Sequence, residues 1–260
     1  MLALVPVPAF ADNYLWVARG ADPAVALVVD PGDARAVATH LASTGTRLAA
    51  ILVTHHHGDH TGGVAALADG RVPVYGPHDE ARDCVTHRVA AGERVAIPEL
   101  GVELEVLAVP GHTAGHLAFI ERTPGAEVAF CGDTLFSAGC GRLFEGTPAE
   151  MVGSLERLAS LPDTTRVCCA HEYTLVNLRF AATVEPGNAA IAAHAARATA
   201  LRAAGHPTLP STLALERTVN PFLRLEVPEV VDAAARWSGT PLAGKVPTFA
   251  ALRRWKDGFR

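Results

Sequence analysis

The chain has 260 residues, of which 49% are hydrophobic, and a formal net charge of −5 at pH 7. This length and composition suffice to bury a sizeable core, in one domain or in a domain with a smaller appendage. The mild negative charge and the absence of a lysine or arginine tract argue against nucleic acid or an anionic membrane as a partner.

The N-terminal segment MLALVPVPAFADNY predicts a first strand rather than a signal peptide, because no basic residue precedes it and Pro6 and Pro8 interrupt its apolar stretch. Apolar runs elsewhere fall short of the roughly 20 residues that a membrane helix requires, so we expect a soluble protein. The five cysteines are odd in number and lack C-x-x-C spacing, which favours free thiols in a reducing cytoplasm.

Up to about residue 171 the pattern is typical of short strands, turns and a few helices. Strands are predicted over residues 25–32, 47–55, 102–112, 126–133 and 165–171. Helices are predicted over residues 34–43 and 61–68. A further helix is predicted to run through Leu158, with Thr147 as its N-cap, Pro148 at its first position and Glu150 at its third.

The composition changes after Glu172. Residues 188–205 are rich in alanine and predict a helix, and residues 248–259 predict another. We therefore expect two parts, a catalytic domain over residues 1–172 and a smaller α-helical, substrate-binding domain over residues 173–260.

Metal-binding side chains follow four of the predicted strands. The first strand end leads into THHHGDH, which contains His55, His57, Asp59 and His60. His55 and His57 can point to the same side of an extended segment, whereas Asp59 and His60 lie where the next helix is predicted to begin. One loop could therefore supply ligands to two neighbouring metal ions.

The other three strand ends carry His112, Asp133 and His171. Taken alone, such a histidine is usually a hydrogen-bonded surface or core residue, and such an aspartate usually caps a turn. The H-x-H-x-D-H spacing is different, because four potential ligands within six residues seldom occur by accident. It predicts metal binding, and the other three residues are candidates because of it.

THHHGDH is similar to the T-H-x-H-x-D-H signature of the metallo-β-lactamase superfamily, and PGHTAGH, GDTLF and AHEY follow in the expected order. Within that superfamily, the chain resembles the hydroxyacylglutathione hydrolase (glyoxalase II) family almost from end to end, through AGCGRLFEGT, HEYT, EPGN, NPFLR and RRWKD. The resemblance implies an α+β fold, the αββα metallo-β-lactamase sandwich, with a smaller C-terminal α-helical domain.

The resemblance also implies a dinuclear site of two divalent ions, with zinc expected first and iron or manganese as alternatives. His55, His57 and His112 would hold one ion and Asp59, His60 and His171 the other, with Asp133 bridging them. His56 and His116 then fall outside the ligand set, and His116 is expected to support it.

The implied activity is hydrolysis of S-D-lactoylglutathione to glutathione and D-lactate. A hydroxide that forms near neutral pH on the metal ions would attack the thioester carbonyl, with Asp59 and Asp133 as the catalytic carboxylates. The charges of the ions, the two carboxylates and the hydroxide leave a net positive charge that can stabilise an oxyanion. Because a thiolate leaves readily, neither a strong general acid nor a serine or cysteine nucleophile is needed.

The resemblance assigns substrate binding to residues that could hold the glutathione moiety: Arg142, Tyr173, Asn177, Arg253 and Lys256. The animal enzymes have lysine and tyrosine where this chain has Arg142 and Phe144, so one phenolic hydrogen bond is missing. Gly58 replaces a bulky residue of some relatives. Without the resemblance, Arg253 and Lys256 could equally be a solvated helix end.

Three other functions remain open from the sequence: a mononuclear persulfide dioxygenase of the same fold, a metallo-ribonuclease and a catalytically silent metal-binding module. The helical tail and the Asp59/His60 pair favour the hydrolase over the dioxygenase, and the acidic balance opposes the ribonuclease. The expected partner is a small-molecule glutathione thioester, with neither nucleic acid nor membrane, and the expected state is a monomer.

Overall fold

The structure is a computed structural model that describes residues 1–80 and 83–259. In these residues no helix is long and apolar enough to cross a membrane.

A mixed sheet of six strands, in sequential order, is built from the N-terminal part of the chain. Its strands are β1 (Ala3–Ala9), β2 (Asn13–Arg19), β3 (Val25–Val29), β4 (Arg47–Leu52), β5 (Val74–Pro77) and β6 (His87–Val89). The first three are antiparallel neighbours, whereas β3 to β6 pair in parallel. Because β3 and β4 run in parallel, their carboxyl ends lie at the same edge, where Asp30 and the histidine loop follow.

A second sheet of six strands has the order β14-β13-β10-β9-β8-β7. Its strands are β7 (Arg94–Ile97), β8 (Val102–Ala108), β9 (Leu117–Glu121), β10 (Val128–Gly132), β13 (Arg166–Cys169) and β14 (Ser211–Thr212). A separate two-stranded hairpin is formed by β11 (Leu135–Phe136) and β12 (Gly139–Cys140).

The α-helices lie mainly in the C-terminal part of the chain. They are α1 (Ala34–Thr44), α2 (Gly58–Thr61), α3 (Val64–Ala68), α4 (Pro148–Ala159), α5 (Thr174–Val184), α6 (Ala189–Ala203), α7 (Leu213–Val219), α8 (Pro228–Ser238) and α9 (Lys245–Asp257). The mixed first sheet, the second six-stranded sheet and the C-terminal helical region give the α+β class that the sequence predicted.

The predicted helix over residues 61–68 is wrong in its extent. The structure has α2 and α3 instead, separated by Gly62 and Gly63. A Cβ on Gly63 would overlap the backbone of Pro31 and Ala34, so only glycine allows this close approach. The predicted strands are present but shorter, because the polar residues after them leave the sheets to form loops.

The contacts of the chain divide it into two compact units. The first unit comprises residues 1–108, 115–132 and 168–171, and the second comprises residues 109–114, 133–167 and 172–260. The chain therefore passes between the units several times. The predicted domain boundary between residues 172 and 173 stays a prediction.

In the first unit, a buried apolar cluster packs the N-terminal sheet against α1. Leu15 and Val28 from the sheet and Val37 and Leu41 from the helix belong to it. Asp33 caps the start of α1 by accepting hydrogen bonds from two backbone N–H groups, and Gly45 ends the helix in the left-handed conformation. These caps fix where α1 begins and ends above the sheet.

In the second unit, the helices α5, α6 and α7 share an apolar cluster that includes Leu178, Ile191, Ala198 and Val219. The predicted helices over residues 188–205 and 248–259 are confirmed as α6 and α9. The capping box predicted from Thr147 and Glu150 is also present at the start of α4.

Candidate metal centre and substrate groups

The histidine loop follows the buried strand β4 and leads into α2. His55 is fully buried, and His57 takes the N-cap position of α2 with an extended backbone. His55 Nε2 lies 3.0 Å from His57 Nδ1. The two rings therefore present nitrogen atoms to the same point, as expected for residues two apart in an extended segment.

A second group of potential ligands consists of Asp59 and His60 from α2 and His171 after β13. Asp59 Oδ2 lies 3.4 Å from His60 Nε2 and 3.5 Å from His171 Nε2. Ligand atoms bound to one tetrahedral ion at bonds of about 2.1 Å would be about 3.4 Å apart. One carboxylate and two imidazoles at this spacing fit a divalent metal ion, and all three lie in the first unit.

Asp30 holds His60 on the side opposite Asp59. It is buried at the end of β3, and its Oδ2 lies 3.0 Å from His60 Nδ1. The same carboxylate accepts hydrogen bonds of 2.7 Å from the backbone N–H and the hydroxyl of Thr54. A carboxylate on one imidazole nitrogen orients the other nitrogen toward a metal, as in many metal sites.

Asp12 and Asn13 support this group in a similar way. Asp12 Oδ1 lies 2.7 Å from His171 Nδ1, and Asn13 Nδ2 donates a 3.0 Å hydrogen bond to Asp59 Oδ2. A backbone bridge between Asn13 and His171 joins the two segments. The loop between β1 and β2 is thereby connected to two of the three potential ligands.

These supporting residues were not predicted from the sequence. The sequence pattern predicts only that Asp30 ends a strand that runs into a turn, and that Asp12 and Asn13 belong to the N-terminal strand segment. For Asp30 a signal was present, since it follows a buried strand in the same manner as the histidine loop. Asp12 and Asn13 offered no comparable signal, because only the tertiary fold brings them to the candidate ligands.

His116 and His56 lie outside these ligand groups in the first unit. The ring of His116 is fully buried and stacks on His55, with ring centroids 4.6 Å apart and an angle of 18° between the planes. A Cβ on Gly132 would overlap Thr54 and crowd the His116 ring, so the chain there must be glycine. His56 is exposed and its backbone N–H donates to Glu80.

In the second unit, His112 and Asp133 form a further candidate ligand pair. His112 Nε2 lies 3.4 Å from Asp133 Oδ2, and both side chains are buried. The other imidazole nitrogen, Nδ1, lies 2.9 Å from the carbonyl oxygen of Arg142. A Cβ on Gly141 would overlap the Asp133 carbonyl, so the chain around this pair is tightly packed.

The loop after β12 brings Arg142 and Phe144 beside His112. The Arg142 side chain is 66% exposed, and the Phe144 residue is 63% exposed with its ring 5.2 Å from the His112 ring. The backbone N–H of Phe144 donates to the His112 carbonyl. The exposed Phe144 ring thus lies next to a candidate metal ligand, and the same loop carries the exposed cation of Arg142.

Tyr173 and Asn177 lie at the start of α5. The Tyr173 ring packs edge to face on Phe136, 5.3 Å away. Asn177 is buried, and its amide donates a 3.0 Å hydrogen bond to the Ser137 carbonyl. Substrate binding by these two residues stays a prediction, and Asn177 has in addition an internal contact that the sequence did not indicate.

Arg253 lies in α9 and is only 6% exposed. Its guanidinium donates to the Cys140 carbonyl at 2.9 Å and to Asp257 Oδ1 at 3.1 and 2.9 Å. The guanidinium also lies over the Phe222 ring. Its predicted substrate contact stays a prediction, while these bonds join α9 to β12.

Lys256 lies one turn further along α9 and is half-buried. Its Nζ is 5.8 Å from the centroid of Phe180 and 5.9 Å from that of Phe259. Burial, reinforced by the positive charges of Arg253 and Arg179, lowers the pKa of Lys256 from 10.5 to about 8. The amine is therefore mostly charged at neutral pH and loses its charge in mildly alkaline solution.

Cys140 is buried, and burial raises the pKa of its thiol to about 11 despite the nearby Arg253. Because the thiolate is the reactive form, this residue is unsuited to act as a nucleophile.

Two family models together match nearly the whole chain. The metallo-beta-lactamase superfamily model matches residues 12–171, and the model of the hydroxyacylglutathione hydrolase C-terminus matches residues 172–259. The αββα fold predicted from the sequence is the fold of this superfamily.

Relatives of similar length share about half of the sequence. The chain is 52% identical to the hydroxyacylglutathione hydrolase of Cupriavidus taiwanensis, over 100% of both chains. It is 54% identical to that of Alkalilimnicola ehrlichii, over 99% of both. A protein solved in a di-iron-bound form is 26% identical, with a TM-score of 0.59 over 84% of this chain and 100% of the other. The chain belongs to the hydroxyacylglutathione hydrolase family of the metallo-β-lactamase superfamily.

Proposed function

We propose that the protein is a thioester hydrolase that cleaves S-(2-hydroxyacyl)glutathione, with S-D-lactoylglutathione as substrate and glutathione and D-lactate as products. The observation that carries this proposal is the match over whole chains, at about half identity, to enzymes named hydroxyacylglutathione hydrolase. In a cell this reaction would complete the detoxification of methylglyoxal.

Two divalent metal ions would serve as cofactors, with zinc first and iron or manganese as alternatives. The candidate ligands are imidazoles and carboxylates: His55, His57, His112, Asp59, His60, His171 and Asp133. Imidazole and carboxylate ligands suit all three metals. The spacing of Asp59, His60 and His171 supports the binding of a divalent ion by these three residues. When bound, the ions would lower the pKa of water to about 7 and polarise the thioester carbonyl.

The role of the surrounding residues is to hold the ligands in one orientation. Asp30 and Asp12 fix His60 and His171 through Nδ1 and direct Nε2 toward Asp59. Asp59 and Asp133 add negative charge, which limits the positive charge of the centre. Because an enzyme must stabilise the charge that develops in the transition state, rigid ligands reduce the reorganisation that the reaction requires.

Binding of the glutathione moiety would fall to the cations and aromatic groups of the second unit. Arg142 and Lys256 can attract the substrate carboxylates, and Tyr173 can donate a phenolic hydrogen bond. Arg253 and Asn177 remain candidates for direct contact. Phe144 replaces the tyrosine of the animal enzymes with an apolar ring beside His112.

A cytoplasmic location and a monomeric state complete the proposal. None of the five cysteines forms a disulfide, namely Cys84, Cys131, Cys140, Cys168 and Cys169. Cysteines without disulfides are typical of proteins that work in a reducing compartment. The monomer is the simplest state and is tested by light scattering.

The experiment is a measurement of thiol release from S-D-lactoylglutathione by the metal-loaded protein, with oxygen consumption on glutathione persulfide measured in parallel. We expect metal-dependent release of one glutathione per thioester and no oxygen consumption. Oxygen uptake without thioester cleavage would instead identify a persulfide dioxygenase and overturn the proposal.

A further inference from the structure

The hairpin of β11 and β12 turns through two residues, Ser137 and Ala138. Ala138 has φ of 54°, a left-handed conformation that is unfavourable for a residue with a Cβ. The hairpin begins two residues after Asp133 and ends two residues before Arg142, whose carbonyl contacts His112. The conformation of the hairpin therefore affects the positions of both Asp133 and His112, the candidate ligand pair in the second unit.

Glu216, from α7, holds the strained residue of this turn. It is fully buried, and its Oε2 accepts a 2.7 Å hydrogen bond from the backbone N–H of Ala138. Oε2 also accepts a 3.1 Å hydrogen bond from Asn220 Nδ2. Burying a carboxyl group costs free energy of folding unless the group is hydrogen-bonded. The hydrogen bonds that Glu216 accepts from Ala138 and Asn220 offset part of this cost.

Asn220 and Asn177 bind three carbonyl groups of the hairpin. Asn220 is fully buried, and its Nδ2 lies 3.1 Å from the Phe136 carbonyl oxygen and 2.9 Å from the Gly139 carbonyl oxygen. Asn177 Nδ2 donates to the Ser137 carbonyl at 3.0 Å. Each of the four residues from 136 to 139 therefore has a backbone group bound by a buried side chain of the helical region.

The two residues after the hairpin, Gly141 and Arg142, connect it to the ligand pair. Gly141 packs directly on the Asp133 carbonyl, and its N–H donates a 3.1 Å hydrogen bond to the Thr134 carbonyl. Arg142 then places its carbonyl 2.9 Å from His112 Nδ1. A shift of the hairpin would move the support of both His112 and Asp133.

We propose that Glu216 and Asn220 are positioning residues, which hold the strained hairpin and thereby keep Asp133 and His112 in place as metal ligands. This proposal rests on the proposed metal-dependent hydrolase and on these two residues as its ligands. It assigns to α7 and the segment after it a role in the metal centre, besides any substrate binding by the helical region.

The test compares metal-loaded Glu216→Ala and Glu216→Gln with the parent enzyme. Metal retention is measured by competition with a chelator, and thioester hydrolysis and the melting temperature are measured on the same samples. Glu216→Gln keeps an oxygen acceptor for Ala138 and is expected to stay within about threefold of the parent. Glu216→Ala is expected to lose metal at about tenfold lower chelator concentration, as found for residues that support metal ligands.

The matched control is Glu185→Ala, which removes another buried carboxyl of the second unit, paired with Arg224. It is expected to lower the melting temperature but leave metal retention unchanged. The double variant Glu216→Ala with Ala138→Gly is expected to recover most of the retention, because glycine adopts the left-handed conformation without strain. If Glu216→Ala does not fold, Asn220→Ala is measured against the same control.

Equal metal retention in Glu216→Ala and Glu185→Ala, or failure of Ala138→Gly to restore it, would overturn the positioning role. That result is distinct from failure of the proposed function. The latter would appear in the parent enzyme as absence of thioester cleavage, whether or not the variants differ in metal retention.

Discussion

The candidate ligands of the first unit are held by carboxyl and amide groups that do not themselves belong to the ligand set. Asp30 contacts His60, Asp12 contacts His171, and Asn13 donates to Asp59. Such partners fix the ring orientation and raise the basicity of the nitrogen that faces the metal. The affinity for metal should therefore depend on residues outside the ligand set.

Asp30→Asn tests this dependence with little change to the backbone. Asparagine tolerates the left-handed conformation that Asp30 adopts, with φ of 50°, so the substitution removes the charge and one of the two acceptor oxygens without straining the backbone. We expect metal affinity to fall by about ten- to a hundredfold. The measurement is chelator competition followed by metal analysis.

Asp33→Asn is the control for this substitution, because Asp33 caps α1 and asparagine is an equally good cap. Its metal affinity should match that of the parent. If Asp30→Asn also matches the parent, the Asp30–His60 contact has no role in metal binding.

Asp133→Ala should cost more activity than His116→Ala. Loss of the Asp133 carboxylate would leave excess positive charge among the metal ions, whereas His116 acts through its stacking on His55. We expect losses in kcat/KM of more than about a hundredfold for Asp133→Ala and about tenfold for His116→Ala. Comparable losses in two folded variants would contradict these roles.

Helix α9 carries a cation, Lys256, whose charge depends on pH. Burial lowers the pKa of Lys256 to about 8, so the charged form predominates below that pH and the neutral form above it. A contact between Lys256 and a substrate carboxylate should accordingly be present at neutral pH and lost as the pH rises through about 8.

We expect the KM for the glutathione thioester to be flat below about pH 8 and to rise above it by up to about tenfold, with little change in kcat. Lys256→Arg should abolish this rise, because arginine keeps its charge. Lys256→Ala should have a high KM at every pH. Steady-state kinetics across the pH range, corrected for spontaneous hydrolysis, measure these effects.

The exposed neighbour Arg254 gives the control, since Arg254→Ala should follow the parent curve. Arg253→Ala and Lys256→Ala should also be compared on a thioester that lacks the glycine carboxylate. If the variants discriminate between the two thioesters as strongly as the parent does, these side chains do not bind that carboxylate.

Elements with strong local signals were predictable from the sequence. The capping box of Thr147 and Glu150 fixed the start of α4, and alanine-rich periodicity indicated α6. The split between α2 and α3 was not predictable, because Gly63 is required by contact with the backbone of Pro31 and Ala34. The spacing of THHHGDH indicated a metal loop, but Asp12 reaches His171 only through pairing of distant segments.

The net charge of −5 means that the chain as a whole repels an anionic substrate, yet basic groups are concentrated around Lys256. Arg253, Arg179 and Arg142 all contribute to the lowered pKa of that amine, which places positive charge close together in the second unit. A local basic cluster can attract a small anion although the whole chain is acidic. The composition alone could not reveal this arrangement.

We propose that the protein is a thioester hydrolase that needs two metal ions. The most direct measurement is a metal titration of the metal-free protein in which bound ions and release of glutathione from S-D-lactoylglutathione are followed together. Seven candidate ligands exceed what one tetrahedral or five-coordinate ion can use, so we expect full activity at close to two ions per chain. Saturation of activity at one ion, or no thiol release from fully loaded protein, would contradict it.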